Sequence, residues 1–391
     1  VLDEEALRSA LLQKKLRIVD DYGNLRVYRK RLRETYIDQF PRLTGPRAES
    51  LLGGAAGAIP VEAFQEAVPL RGPFTDAARM KEWAADALTG RVVVGVDGSQ
   101  VYTSSDFNMP VALVQAGAFW IQYSQEGSSY GSDRLFRVYV GAEALEGRGG
   151  DEPLHQMSVD ERRMALEMEL ASRVIGGWAG KEAAVYLMLD TPLLLRYIGW
   201  AGPEVKRAMC GTMTRLLDVC EGHRVPLVGY TDYSLARDLT STLESFLVQE
   251  ESASRVSDAA VVGPLLEDFG FGARTPMFQV RHPLLEEFYG RHRGEIGFFY
   301  QKLHSDLPVR VEFPLWVHRA GRVDELAEAV AAQAVLGEGY PYVLLRAHET
   351  AVLDSGDRGR FYDVVARFLS HECGVPFRET AKAKRKRLSI V

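Results

Sequence analysis

Apolar positions follow two rhythms along this chain. Over residues 1 to about 48, Leu7, Leu11, Leu12, Leu16 and Val19 recur at helical spacing, followed by Leu25, Tyr28 and Leu32 among many Arg and Lys. The stretch L-R-V-Y-R-K-R-L-R in this region reads as a solvated basic helix face. Residues 53 to 60, G-G-A-A-G-A-I-P, read as a linker, and a second helical piece covers about 61 to 89. The rhythm then changes to that of strands. In R-V-V-V-G-V-D-G-S-Q, residues 91 to 100, four valines make a short apolar run of the kind buried on both faces of a sheet. Asp97 is expected at its end, with Gly98 and Ser99 forcing a turn. V-A-L-V-Q-A-G-A-F-W-I-Q-Y and L-F-R-V-Y-V follow as second and third strands, so the pattern predicts an antiparallel meander.

A loop rich in glycine and acid (Gly147, Gly149, Gly150, Asp151, Glu152) precedes a helix over about 158 to 178, opened by an S-x-x-E capping box at Ser158 and Glu161. Its apolar stripe is Met164, Met168, Ala171, Ile175 and Trp178. Glu167 falls within that stripe and Glu169 on the opposite face. A-A-V-Y-L-M-L-D-T-P-L, residues 183 to 193, repeats the first strand's design and ends in Asp190. A helix around 203 to 221, a strand over 225 to 230 and a helix opened by Y-S-L-A-R-D-L come next. Residues 250 to 275 read as polar loop, and 281 to 295, rich in Arg and His, as surface loop. I-G-F-F-Y-Q-K-L and P-V-R-V-E-F-P-L-W-V predict a hairpin. Helices are expected over about 322 to 336 and 357 to 371, and His348 begins a helical turn eight residues after Tyr340. The tail carries five basic residues between Lys382 and Arg387.

The order of elements predicts an α/β protein. Composition changes this little: 391 residues with 46% hydrophobic and 26% charged supply an ample core. No run of eighteen apolar residues is present, and V-L-D-E-E-A-L-R lacks the basic start and apolar centre of a signal peptide. Three cysteines without short spacing argue against a disulfide framework or a cysteine-based zinc site, so a cytoplasmic location is expected. The net charge of -6 is unlike that of a simple nucleic-acid binder, although total charge says little about local fields.

A single D-G-S has a simple explanation as an Asx-turn. Two buried strands each finishing in an aspartate, with an inward glutamate on the helix between them, ask for more. Asp97, Glu167 and Asp190 are hard oxygen donors suited to Mg²⁺ or Mn²⁺. Two such ions about 4 Å apart can activate water and stabilise a leaving oxygen in phosphodiester hydrolysis. A nearby histidine or tyrosine can complete the metal shell or donate to the scissile phosphate. The chain has no P-loop, G-x-G-x-x-G turn, H-E-x-x-H helix or G-x-S-x-G elbow.

V-G-V-D-G-S-Q, the R-x-x-x-E helix of Arg163 and Glu167, L-M-L-D and G-Y-P-Y-V-L-L-R-A-H-E-T-A occur in an order that resembles the NurA nuclease family, from about residue 90 to 375. The resemblance implies an RNase H-like mixed sheet flanked by helices over residues 91–378. An N-terminal helical region over 1–90 would precede it and a basic tail over 379–391 would follow. It implies a homodimer around a central channel that degrades DNA with Mn²⁺ (or Mg²⁺) by two-metal-ion catalysis, as 5′-to-3′ exonuclease and single-strand endonuclease. The partner would be a hexameric HerA-type ATPase in the resection of double-strand breaks. By the same resemblance Asp97 is the central metal ligand, Glu167 the helix carboxylate, Asp190 the second strand carboxylate, His348 the metal-proximal histidine and Tyr340 the tyrosine preceding it. The family's second strand motif usually continues D-G, where this chain has Asp190-Thr191-Pro192. A lysine often found after Val228 is replaced here by Thr231 and Asp232. Two other readings stand beside this one: a non-catalytic DNA clamp regulating a translocase, and an actin-like ATPase or kinase, whose second phosphate turn is missing here.

Overall fold

The computed structural model describes residues 2–72, 74, 76–145, 152–181, 183–247, 256–304, 306–381 and 385. In chain order the elements are α1 (Glu4–Gln13), α2 (Lys15–Gln39), α3 (Gly45–Leu52), β1 (Gly57–Pro60), α4 (Ala77–Leu88), β2 (Arg91–Val101), β3 (Val111–Gln122) and β4 (Ser129–Val140). There follow α5 (Ala142–Leu145), α6 (Glu152–Gly176), β5 (Ala184–Leu189), α7 (Pro203–Gly222), β6 (Leu227–Thr231), α8 (Asp238–Glu244), α9 (Asp258–Glu267), β7 (Phe278–Arg281) and α10 (Pro283–Phe288). The chain closes with β8 (Ile296–Gln301), β9 (Val309–Pro314), α11 (Trp316–Arg319), α12 (Val323–Leu336), α13 (Tyr342–Ala351) and α14 (Ser355–His371). These elements form two compact units. One comprises Val1–Gly72, Thr231–Glu286 and Gly294–Leu315, the other Pro73–Tyr230, Glu287–Arg293 and Trp316–Val391.

In the second unit the strand order is β6-β5-β2-β3-β4. β2, β3 and β4 form the expected meander, with Asp97 opposite Gly117, and β5 lies parallel to β2 with Leu189 opposite Val96. β6 extends the parallel side. A meander followed by two parallel strands, with a helix crossing between β4 and β5, is the RNase H-like arrangement. Val92, Val93, Val94 and Val96 are all buried, as the uninterrupted apolar run requires of a central strand. Two glycines let helices approach this strand from opposite faces. A β-carbon on Gly95 would lie 2.4 Å from the Val343 carbonyl oxygen of α13, and one on Gly98 2.1 Å from the Glu167 carboxylate of α6. Residues three apart on a strand point to opposite sides.

Gly98 and Ser99 therefore do not form the expected turn. β2 runs on through Val101, pairing Gly98 with Ala116 and Ser99 with Gln115. The glycine is there to admit α6, a demand of packing across the sheet that turn chemistry does not reveal.

The first unit carries β1-β7-β8-β9, paired antiparallel throughout. Residues 57–60 form β1 rather than linker, because Gly57 lets the backbone close on the Leu52 and Thr242 side chains, 2.4 and 2.8 Å from a β-carbon placed there. Thr242 and Ala58 hold the approach with two hydrogen bonds, at 2.9 and 3.1 Å. Residues 258–267 are α9, not polar loop: Ala259, Val261, Val262 and Leu266 are buried, and tertiary packing sustains a helix that contains Pro264. The Arg- and His-rich segment contains α10, whose Leu284 and Leu285 are buried. In the second unit His292 is also buried and lies 2.7 Å from Asp218. Among the described residues from 61 to 89 only α4 is helical. The stripe of α1 and α2 divides: Tyr28, Leu32 and Tyr36 are buried, whereas Leu7, Leu11, Leu12, Leu16 and Val19 are exposed.

Among the described residues no helix is long and apolar enough to cross a membrane. The glycine-rich loop at 146–151 and the basic positions Lys382, Lys384, Lys386 and Arg387 lie outside the described residues.

Candidate metal centre

Asp97 stands in β2 with its side chain largely covered. Its Oδ1 accepts from the Gly98 amide at 2.7 Å, and its Oδ2 lies 2.8 Å from Nδ1 of His348, whose ring is mostly exposed. The pair depends on how α13 docks. Gly95 and Gly117 admit the helix backbone, at 2.4 Å from Val343 O and 2.6 Å from Ala351 N for added β-carbons, and Gln115 donates to the Ala351 carbonyl at 2.9 Å. Residues 95 and 97 face the same side of the strand, so the helix that covers Gly95 brings His348 to Asp97.

Glu167 lies on the other side, 5% exposed, as its place in the apolar stripe of α6 predicts. Glu169 is half exposed and pairs with Arg137. A carboxylate so buried must be compensated. Arg163, one helical turn earlier, donates to Glu167 Oε1 at 2.5 Å. Burial nevertheless pushes the Glu167 carboxyl up to about 7; Arg163 opposes the rise and the charge of Asp97 adds to it. Burial alone would lower the Arg163 guanidinium, but Glu167, Asp160, Tyr197 and Asp97 together hold it above its ordinary value. Its Nε is buried without an acceptor.

Asp190 is exposed, one residue beyond β5. The chain turns there against Gly229 of β6, where an added β-carbon would meet Thr191 O and Leu193 N at 2.9 Å each. Tyr340 bonds Asp190, and burial, the Asp190 charge and that hydrogen bond raise its hydroxyl far above its ordinary value. Its ring meets Tyr230 edge-on at 5.2 Å. The α12–α13 turn that presents Tyr340 is tight: Glu338 adopts φ 58° and Gly339 φ 114°.

The structure thus joins Asp97 to His348 and Asp190 to Tyr340, and it places Glu167 and Tyr340 within the field of Asp97. Among the described residues no group of three or more His, Cys, Asp or Glu stands in metal-holding geometry. Asp97, Glu167 and Asp190 are hard oxygen donors of the kind a divalent cation takes, and the charge of Asp97 adds to the rise of the Glu167 carboxyl. Sequence reasoning missed Asp160, Tyr102 and Tyr197. Asp160 accepts from the Tyr102 hydroxyl at 2.6 Å, and Gln100 donates to the same hydroxyl at 2.8 Å. Burial pushes the Tyr197 phenol up to about 12, with Arg163 opposing and Glu167 adding. The 160, 163, 167 spacing on one helix face was the available signal for Asp160; no local pattern marks Tyr102 or Tyr197.

An RNase H-like sheet with one carboxylate on its central strand, one just past the end of the parallel strand beside it and one on the crossing helix defines the class of acid-lined α/β proteins to which this chain belongs. The NurA domain model matches residues 91–353, and the chain belongs to the NurA family. Solved structures similar to it include NurA with manganese, at 10% identity and TM-score 0.43, covering 90% of this chain and 97% of that one. NurA bound to dAMP and manganese matches at 10% identity and TM-score 0.43, covering 93% and 97%. Endonuclease V of Ciona intestinalis, in complex with a 24mer DNA containing an inosine followed by a ribo-adenosine, matches at 9% identity and TM-score 0.32, covering 73% and 96%. A comparison with curated protein sequences returned no significant match.

Proposed function

We propose that the protein is a Mn²⁺- or Mg²⁺-dependent deoxyribonuclease that hydrolyses phosphodiester bonds, with Asp97, Glu167, Asp190 and His348 as metal ligands. The observation that carries this reading is the Asp97–His348 pair, at 2.8 Å, formed across the central strand from a buried Glu167 whose ionisation Asp97 opposes. Membership in the NurA family supports a nuclease. Bound divalent metal supplies a lower pKa for water and neutralises charge on phosphate. The chain's own groups prepare for it. The Tyr340 hydroxyl, kept protonated by burial, orients Asp190, and Arg163 balances Glu167.

On this reading the nuclease domain spans 91–378, after an N-terminal helical region and before the basic tail of 379–391. The protein acts in the cytoplasm as a homodimer on single-stranded DNA and duplex ends, with a HerA-type hexameric ATPase in double-strand break resection. Incubation of linear DNA with Mn²⁺ tests the reading. The wild type should digest it and Asp97→Ala should not. DNA left intact by the wild type in both Mn²⁺ and Mg²⁺ would overturn the nuclease and favour a DNA clamp.

A further inference from the structure

On the face of the sheet that carries Asp97, β3 continues past the site into a second feature. Gly117 pairs with Asp97 and Phe119 with Gly95, so Phe119 and Ile121 share the Asp97 face at two and four residues' distance. Between them, the start of β4 and α13 lies a hollow of about 460 Å³, lined by Phe119, Ile121, Tyr123, Tyr130, Tyr342 and Arg346. That volume falls within the range of small-ligand sites. Phe119 lies two residues beyond Gly117, the partner of Asp97, and Arg346 lies on the same helix as His348, so hollow and site adjoin along the sheet.

The chemistry of the walls is specific. Tyr130 is 77% exposed and stacks on Phe119 at 5.8 Å with the planes 25° apart, leaving its other face open. Tyr342 meets Phe119 edge-on at 6.4 Å, and the Arg346 guanidinium lies 5.5 Å from the Phe119 centroid. Arg346 pairs with Glu349, yet its Nε is buried without an acceptor. The Ser128 and Ser129 side chains at the rim are exposed. An open aromatic face beside a half-exposed guanidinium matches a flat π-system attached to an anion. An apolar peptide would make no use of the guanidinium, and a bare phosphate would leave the rings unused.

We propose that this hollow receives an unpaired nucleobase of single-stranded DNA, stacked on Tyr130, with the adjoining phosphate held by Arg346. The proposal rests on the nuclease reading of the neighbouring site and assigns it a flanking subsite. Stacked bases in a duplex are not free to enter, so the subsite favours single strands over duplex.

The test is binding of the full chain to fluorescein-labelled oligothymidylate by anisotropy, with EDTA present to prevent cleavage. Tyr130→Ala should weaken binding by about 5-fold to about 100-fold, the range for losing one stacked base. Tyr130→Phe should bind as the wild type does, and Arg346→Gln should weaken binding and flatten its salt dependence. The same backbone carrying abasic sites should bind the wild type no better than oligothymidylate binds Tyr130→Ala. Tyr130 is exposed, so its truncation leaves the fold intact, checked by an unchanged Tm. Equal affinity of wild type and Tyr130→Ala, or full affinity for the abasic strand, would overturn the subsite. Digestion in Mn²⁺ is scored separately: wild-type cleavage with unaltered Tyr130→Ala binding sinks the subsite alone. Base-dependent binding without cleavage in any metal keeps the subsite and sinks the nuclease.

Discussion

Glu167 rests on the bare backbone of Gly98: a β-carbon there would stand 2.1 Å from Oε1 and 2.8 Å from the carboxyl carbon. Arg163 closes the remaining space, with its Cγ 2.9 Å from the same point. The glycine thus serves a carboxylate on another element. Gly98→Ala forces Glu167 and Arg163 to move in a packed interior, at a cost of about 1–3 kcal/mol. Both Tm and Mn²⁺-dependent digestion should fall; an alanine variant with wild-type Tm and activity would show that the contact yields freely.

The Arg163–Glu167 pair is unequal in what it protects. Arg163→Gln leaves Glu167 buried without its cation and should cost about 3 kcal/mol in urea unfolding. Glu167→Gln removes the charge itself and should retain stability while abolishing digestion. Combining the two should recover most of the stability lost with Arg163→Gln alone, since the buried Glu167 charge is then gone. Additive losses in the double variant would deny the coupling.

Metal should stabilise the fold by mass action. Mn²⁺ at one hundred times its dissociation constant adds about 2.7 kcal/mol when it binds only the folded chain. Thermal scans should therefore show Tm rising with Mn²⁺ and returning on EDTA addition. Asp97→Ala should show no rise. An equal shift in that variant would place the ion elsewhere.

Alkaline stability is set in part by Tyr123. Burial pushes its hydroxyl up to about 12, against a hydrogen bond from Gln333 at 2.8 Å that favours the ionised form. The folded value is above the ordinary one, near 10, so the contribution is complete below pH ~10 and is lost as pH climbs towards ~12. Urea unfolding between those limits should show a decline that Tyr123→Phe lessens. At neutral pH the same variant should lose about 1 kcal/mol for the missing hydrogen bond. A decline identical in both proteins would assign the alkaline effect to other groups.

Much of the second unit is legible without coordinates because its signals are local. The valine run of β2, the run that ends at Asp190 and the stripe that carries Glu167 inward each belong to one element and one period. What failed has a common cause. Gly98 reads as a turn residue but answers to α6, Gly57 reads as linker but answers to Leu52 and Thr242, and α9 is short enough to need its neighbours. His292, in a segment that reads as surface, is buried against Asp218.

By itself the amino-acid order determined the kinds of elements, their succession and which carboxylates could turn inward, since side-chain period and chain chemistry act over a few residues. Only the tertiary structure decided that His348 meets Asp97 across 251 positions, that Tyr340 takes Asp190, and that Phe119, Tyr130 and Arg346 share a hollow. Such meetings follow from helices seated on glycine backbones, and a glycine's neighbours in space leave no mark on its neighbours in sequence.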